Sequence, residues 1–187
     1  MPPVATASTP ASSTPLRAKL SIGATVAALV SIDFATKAWA TSRLSDYSTI
    51  EVVRGTLAFQ LAKNFAGRRD PSLITTMGVI SLVVSTVVIC AIMVLCKRSH
   101  PMYAMFRWSL PIMFAGTIGN SLDRLRTGYI VDFIDIQWTQ GGRTVHWPTF
   151  NLADVFICIG FCSIPLTIVW AFMLAFKSRC PPRPNTR

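Results

Sequence analysis

Ser72 to Cys96 reads SLITTMGVISLVVSTVVICAIMVLC and contains no charged residue. At about 1.5 Å of rise per residue, a helix over this stretch measures about 37 Å, which exceeds the hydrocarbon core of a bilayer at roughly 30 Å. The stretch therefore predicts a membrane-spanning helix. The whole chain of 187 residues is 51% hydrophobic and 14% charged, which is typical of a single membrane domain.

Three further apolar runs flank this stretch, at about 20–40, 103–121 and 152–176. Together with 72–96 they predict an all-α membrane protein with four transmembrane helices. The predicted membrane domain covers 17–178.

The first run also fits a secretory signal. Arg17 and Lys19 precede its apolar stretch, and Ala38-Trp39-Ala40 resembles a cleavage site. In a retained helix, by contrast, Asp33 and Lys37 lie on one face with i,i+4 spacing, where they can form an ion pair. These local signals favour the retained helix and leave the cleaved signal open.

The net charge of +10 comes from basic residues before the first run, between the second and third, and after the last. The positive-inside rule then predicts cytoplasmic N and C termini, with loops 41–71 and 122–151 outside. No Arg-rich helix or aromatic stacking motif points to nucleic acid, so the expected partner is the phospholipid bilayer. Residues 1–16 form a predicted disordered tail, rich in Pro, Ala, Ser and Thr, and 179–187 a cytoplasmic tail.

The first outer loop contains Ile50 to Leu61, which is rich in Val, Thr, Phe and Leu with partial alternation. This pattern predicts one or two short strands, and so a small extracytoplasmic β-element. Asp132 falls in the second outer loop, and Asp154 begins the last helix at the same interface. The topology therefore brings both acids to one membrane face.

Asp132 and Asp154 are the candidate catalytic pair. Asp154 alone is also explained as a helix-start acid at N3, with Asn151 as the N-cap. Asp132 lies among apolar neighbours that should raise its pKa. Two adjacent carboxylates share a proton, so one can activate water while the other protonates a scissile carbonyl, and neither a metal nor a cofactor is required. The two histidines, His100 and His146, fall on opposite sides of the membrane, so a Ser-His-Asp or His-zinc site lacks parts.

Asn120, Asp123 and Arg124 form a polar group at the end of the third run. Either a helix-end ion pair or a role in substrate positioning explains it. Asp135 has no predicted role, and His146 belongs to a predicted interfacial aromatic belt. A small four-span transporter or proton-coupled channel, or a structural subunit, remains an alternative function, although the acids cluster at one interface rather than across the membrane.

Four ordered blocks resemble the signatures of lipoprotein signal peptidase, also called signal peptidase II. One block alone would be weak evidence, whereas the set covers roughly 32–160 in the right order with four spans. The blocks are Asp33-x-x-Thr36-Lys37, Asn120-x-x-Asp123-Arg124, Gly128-x-x-x-Asp132-Phe133 and Phe150-Asn151-x-Ala153-Asp154.

The resemblance implies an aspartic endopeptidase of the bacterial inner membrane that cuts prolipoproteins just before a diacylglyceryl-modified cysteine. Asp132 and Asp154 match the family's catalytic pair. The resemblance also implies a retained first helix. It further implies an external β-element and a mobile lid, and the strand-like 50–61 and the loop 133–149 are the places where these two parts are expected. No nucleic-acid partner is expected, and a monomer is the favoured oligomeric state. The matching substrate-binding and supporting positions are Asn120, Asp123, Arg124, Asn151, Asp33 and Lys37.

The external loop departs from the family pattern. Asn64 matches the family's asparagine, but Arg68 and Arg69 occupy the end that is usually apolar. Asn64 is therefore only a candidate supporting residue. The two arginines are explained either by contact with lipid phosphates or by simple solvated charge.

Overall fold

The computed structural model describes residues 14–44, 48–65, 70–95 and 101–179. Arg68, Arg69 and most of both predicted tails lie outside the described residues. The helices are α1 (Thr14–Arg43), α2 (Pro71–Leu95), α3 (Pro101–Thr127) and α4 (Leu152–Arg179). Because α1 begins at Thr14, the last residues of the predicted disordered tail 1–16 are helical.

Three of these helices, α1, α2 and α4, contain segments long and apolar enough to cross a membrane. They are Leu20–Arg43, Ser72–Ile92 and Leu152–Leu174. Their large apolar side chains are widely exposed, as expected where lipid rather than protein covers them. The predicted runs 20–40 and 152–176 are thus confirmed as long apolar helices, and so is 72–96 as far as Leu95, where the described residues end.

The remaining helix, α3, is the central one and the most polar. It packs against α1, α2 and α4. Its buried polar residues face these neighbours, so they lower its hydropathy without being presented to lipid. The helix continues to Thr127, beyond the predicted end at 121. These buried polar residues are Ser109, Thr117, Asn120, Ser121 and Asp123.

Glycines allow α3 and α4 to approach closely. A Cβ atom at Gly116 would overlap the carbonyl oxygen of Ala153, and one at Gly160 would overlap the side chain of Met113. Small residues at such crossings let helix backbones pack tightly. The start of α4 is therefore held against α3 close to Asn120.

A four-stranded antiparallel sheet, with order β1-β2-β3-β4, covers one end of the helices. One or two short strands are predicted within 50–61, and the structure has two, β1 and β2, the second of which continues to Asn64. The expectation that 133–149 is a loop is wrong, because this range holds most of β3 and all of β4. The strands are β1 (Thr49–Val53), β2 (Leu57–Asn64), β3 (Ile130–Gln140) and β4 (Arg143–His146).

Two glycine turns set the path of β3. At Gly128, φ is 76° and its N–H donates to the Arg124 carbonyl oxygen at 3.2 Å, which ends α3 and starts β3 at once. Gly141 and Gly142, with φ of 60° and 75°, form the two-residue turn to β4. Asp132 is consequently placed beside the end of α3.

An apolar cluster anchors the sheet to the C-terminal end of α1. Ala40 of the helix and Leu44, the residue after it, pack with Phe133 of β3, and all three are buried. Trp39 and Phe59 add edge-to-face ring contacts, with centroids 5.4 Å apart. The sheet therefore has a defined position over the helix ends, where the polar residues converge.

Candidate active site

Asp132 lies in β3, and only 2% of its surface is exposed. Nδ2 of Asn151 donates to its Oδ1 at 2.6 Å, and Nδ2 of Asn64 donates to its Oδ2 at 2.9 Å. Burial, assisted by the charge of Asp154, raises the pKa of Asp132 to about 6, although both hydrogen bonds oppose this change. This carboxyl can therefore exchange a proton close to neutral pH.

Asp154 is held by the first turn of α4. The side-chain oxygen of Asn151 accepts the Asp154 N–H at 3.1 Å, and Oδ2 of Asp154 accepts the Asn151 N–H at 3.1 Å. This reciprocal pair is a capping box, and it confirms Asn151 as the N-cap with Asp154 at N3. The other oxygen of Asp154, Oδ1, takes no part in the capping box and accepts a hydrogen bond from Nδ2 of Asn120 at 2.8 Å.

Two asparagine side chains connect the acids. Nδ2 of Asn151, which donates to Asp132, also lies 3.1 Å from Oδ1 of Asn120, and Asn120 in turn donates to Asp154. A continuous path of amides thus runs from one carboxylate to the other. The structure brings together the residues of all three later sequence blocks in this path.

Lys37 forms the centre of a second buried cluster. Its Nζ lies 2.8 Å from Oδ2 of Asp33, 2.9 Å from Oδ2 of Asp123 and 3.0 Å from Oδ1 of Asn120. An ammonium group has three protons to donate, so these contacts satisfy it fully. Complete pairing is needed because Lys37 is only 3% exposed. The expected i,i+4 pair of Asp33 and Lys37 is confirmed.

Both acids of this second cluster also fix backbone near the first. Oδ1 of Asp33 accepts the N–H of Ala153 at 2.9 Å, and Oδ2 of Asp123 accepts the N–H of Val131 at 3.2 Å. Ala153 precedes Asp154 and Val131 precedes Asp132. Lys37 of α1 is thus the close ion-pair partner of Asp123, and Arg124, the partner in the helix-end alternative, interacts with Asp123 electrostatically.

Arg124 and Asn64 reach the acids from two other directions. Arg124 is half-buried, interacts electrostatically with Asp154 and Asp132, and packs against α2, where Gly78 leaves room for its side chain. Asn64 ends β2 and contacts Asp132 directly. The site thus combines residues from α1, β2, α3, β3 and α4.

An apolar groove of about 440 Å³ opens beside Asp154. One wall comes from β3 and the segment after β4, and the other from the first turns of α4. An apolar groove next to a carboxylate can hold an apolar chain while presenting one bond to the acid. Its lining residues are Ile136, Trp147, Phe150, Asp154, Val155, Cys158 and Ile159.

Sequence reasoning missed a contact between Asp135 and His146. The sequence predicts no role for Asp135 and places His146 in an interfacial aromatic belt. In the structure, Nδ1 of His146 lies 2.9 Å from Oδ2 of the buried Asp135. Counting outward from the Gly141-Gly142 turn puts His146 opposite Gln137, diagonal to Asp135. That count was available from the sequence once 133–149 was read as a hairpin.

The helices, the sheet and the buried polar cluster at their shared end are those of a multi-pass membrane protein with an enzyme-like site. A family model described as signal peptidase (SPase) II matches residues 25–171. The chain therefore belongs to the signal peptidase II family.

Individual relatives agree with this assignment. A lipoprotein signal peptidase of Geobacter metallireducens is 32% identical over 148 residues, which cover 74% of this chain and 83% of the relative. One from Desulforapulum autotrophicum is 32% identical over 139 residues, or 71% and 81% of the two chains. A bacterial membrane enzyme solved by the in meso method at 2.3 Å resolution shares the fold, with a TM-score of 0.62 at 20% identity over 90% of this chain and 94% of that one.

Proposed function

We propose that Asp132 and Asp154 are the catalytic pair of this peptidase, and that it removes signal peptides from prolipoproteins just before their diacylglyceryl-modified cysteine. Family membership makes the chain a membrane peptidase that processes prolipoproteins, which decides against the transporter or channel alternative. The observation that carries the catalytic assignment is the amide path joining the two carboxylates, together with the pKa of about 6 for Asp132.

The proposed reaction uses one proton shared by the two acids. The ionised carboxylate takes a proton from water as the water oxygen attacks the scissile carbonyl carbon, and the protonated one gives its proton to the carbonyl oxygen. The resulting diol collapses, the C–N bond breaks, and the leaving nitrogen receives a proton from the pair. Asn120 and Asn151 keep the carboxylates in position throughout, because each is fixed by further hydrogen bonds.

The apolar groove supports a lipid-modified substrate. Its lining side chains are mostly apolar, so an apolar part of the substrate can lie there while the peptide bond meets the acid pair. Arg124, half-buried beside both acids, is suited to orient the substrate backbone. Entry from the bilayer would spare the acyl chains exposure to water.

The proposed setting is the bacterial cytoplasmic membrane, with four spans, both termini inside and the acid pair at the outer face. The buried location of the polar residues of α3 supports the proposal that α3 also spans the membrane, in addition to α1, α2 and α4, because neighbouring helices shield these residues from lipid. The basic residues Arg17 and Lys19 before the first apolar run, and Arg183 and Arg187 after α4, support the orientation. A monomer suffices, since one chain supplies every residue of the proposed site.

The test is cleavage of a synthetic diacylglyceryl-cysteine peptide by the purified protein in detergent, with no gradient present. Asp132→Asn and Asp154→Asn should each remove cleavage. Glu51→Gln, at an exposed acid of β1, is the matched control and should cleave as the wild type does. Near-normal cleavage by either aspartate variant would exclude the proposed pair.

A further inference from the structure

Asp135 is a buried acid that the proposed reaction does not use. It is only 2% exposed, yet its two carboxylate oxygens lie 2.9 and 3.1 Å from Nδ1 of His146, whose own side chain is half-exposed. Burying a carboxylate costs free energy that a hydrogen-bonded partner only partly offsets. A buried carboxylate in a hairpin next to the groove is therefore expected to have a role beyond packing.

The register of the hairpin places this pair directly behind the groove. His146 is opposite Gln137, and its ring reaches diagonally to Asp135. Side chains of neighbouring strand residues point to opposite faces. The next residue after each member, Ile136 and Trp147, lines the groove. The pair therefore braces, from the rear, the two residues that form this part of its wall.

The segment 147–150 is held differently at its two ends. At the Phe150 end, its carbonyl oxygen accepts N–H groups of Phe133 and Ile134 at 3.1 and 2.8 Å, and its own N–H donates to Ile134 at 3.1 Å. At the other end, the N–H of Trp147 donates to the Ile136 carbonyl at 2.7 Å. Loss of the Asp135–His146 contact should thus loosen the Trp147 end and leave the end that leads to Asn151 in place.

The geometry points to Asp135 and His146 as positioning residues that fix the Trp147 wall of the groove and so determine how well the apolar part of the substrate binds. This inference rests on the proposed function, because it takes the groove as the substrate site. The pair acts on binding rather than on bond cleavage, since the amide path between Asp132 and Asp154 does not pass through it.

The experiment measures kcat and KM of wild type, His146→Phe, His146→Asn and Thr144→Val on the diacylglyceryl-cysteine peptide. His146→Phe keeps a ring but removes the Nδ1 contact, and the half-exposed position accommodates it. The groove wall should bind the apolar part of the substrate equally in the ground and transition states. His146→Phe should therefore raise KM about tenfold and leave kcat within about twofold of the wild-type value. His146→Asn places an amide nitrogen near the Nδ1 position and should restore most of the wild-type KM. Thr144→Val, on the same strand and face, should change neither constant.

Several outcomes would overturn the inference. These are an unchanged KM in His146→Phe, a fall in kcat with KM unchanged, a His146→Asn variant as impaired as His146→Phe, or a Thr144→Val variant with the same defect. Asp132→Asn and Asp154→Asn, run alongside, separate the two proposals. If both lose cleavage while His146→Phe behaves as wild type, only the positioning role fails, and if either retains cleavage, the catalytic assignment fails instead.

Discussion

Two pairs of carboxylates lie side by side in this protein, and their surroundings differ. Asp33 and Asp123 share the ammonium of Lys37, at 2.8 and 2.9 Å. Asp132 and Asp154 accept hydrogen bonds from asparagine amides. A shared cation offsets the like charges of two carboxylates, whereas neutral amides leave those charges in partial conflict. The first pair is therefore suited to hold structure, and the second to exchange protons.

The largest expected effect follows from removing one acid of the amide-linked pair. Asp132→Asn or Asp154→Asn should lower the cleavage rate by about 10³-fold or more, because acid and base catalysis at this site both require the pair. Asparagine is close in size to aspartate, so thermal unfolding in detergent should remain cooperative. Unfolding of either variant before any assay would instead assign this pair to structure and erase the contrast with the Lys37 cluster.

The next largest effect concerns stability and the other pair. Lys37→Met keeps most of the side-chain volume but leaves Asp33 and Asp123 buried without their shared cation. Breaking a buried ion pair in this way should cost about 3–5 kcal/mol, measured as the free energy of unfolding in detergent. Lys63→Met, at an exposed lysine of β2, is the matched control and should change stability little. A Lys37→Met protein as stable as the wild type would show that the cluster does not hold the fold.

The pH dependence of stability should distinguish the acid pair further. Folded Asp132 has a pKa of about 6, against an ordinary value of 3.8, so the folded state binds its proton more tightly than the unfolded chain does. The stability from this proton is complete below about pH 4 and is lost as the pH rises through about 6, by at most about 3 kcal/mol. Thermal melts between pH 4 and 7 should show this fall in the wild type. In Asp132→Asn the fall should be smaller, and an identical profile in both proteins would contradict the burial of an uncompensated acid.

The sequence predicted the helices better than it predicted the contacts between them. Long apolar runs identify α2 and α4 because lipid exposure demands apolar side chains across the hydrocarbon core. Asn151 and Asp154 were predicted as cap and N3 residue because that geometry is local. The pairing of Lys37 with Asp123 joins residues 86 positions apart, so only tertiary packing could reveal it.

The hairpin β3–β4 shows a different kind of failure. The sequence of this hairpin is typical of an external loop, with a buried acid, a polar tip and aromatic residues after the turn. The alternation of apolar and polar residues is weak because β3 is buried on both faces at its start. The Gly141-Gly142 turn sets the register of β4 on β3, and this register brings His146 to Asp135. The Asp132–Asp154 pair, by contrast, is predicted from the ordered motifs without any knowledge of register.

The smallest expected effect comes from a substitution at Gly119, which tests how closely the Asp33–Asp123 pair is coupled to the Asp132–Asp154 pair. A methyl group at this position would overlap Oδ2 of Asp33, the oxygen that receives Lys37. Asp33 would have to move, and its other oxygen would then pull away from the Ala153 N–H next to Asp154. Gly119→Ala should therefore cost about 1–2 kcal/mol of stability and also slow cleavage.

The matched control for Gly119 is Gly23, a helical glycine of α1 with open space around it. Gly23→Ala should leave cleavage unchanged, and should be neutral or stabilising by up to about 1 kcal/mol, because alanine is the better helix former. If Gly119→Ala lowers stability but leaves the cleavage rate at the wild-type value, the Lys37 cluster supports the fold without positioning Asp154. If both fall together while Gly23→Ala is silent, the Lys37-linked acids Asp33 and Asp123 hold the Asp132–Asp154 pair in position, and the two regions work as one site.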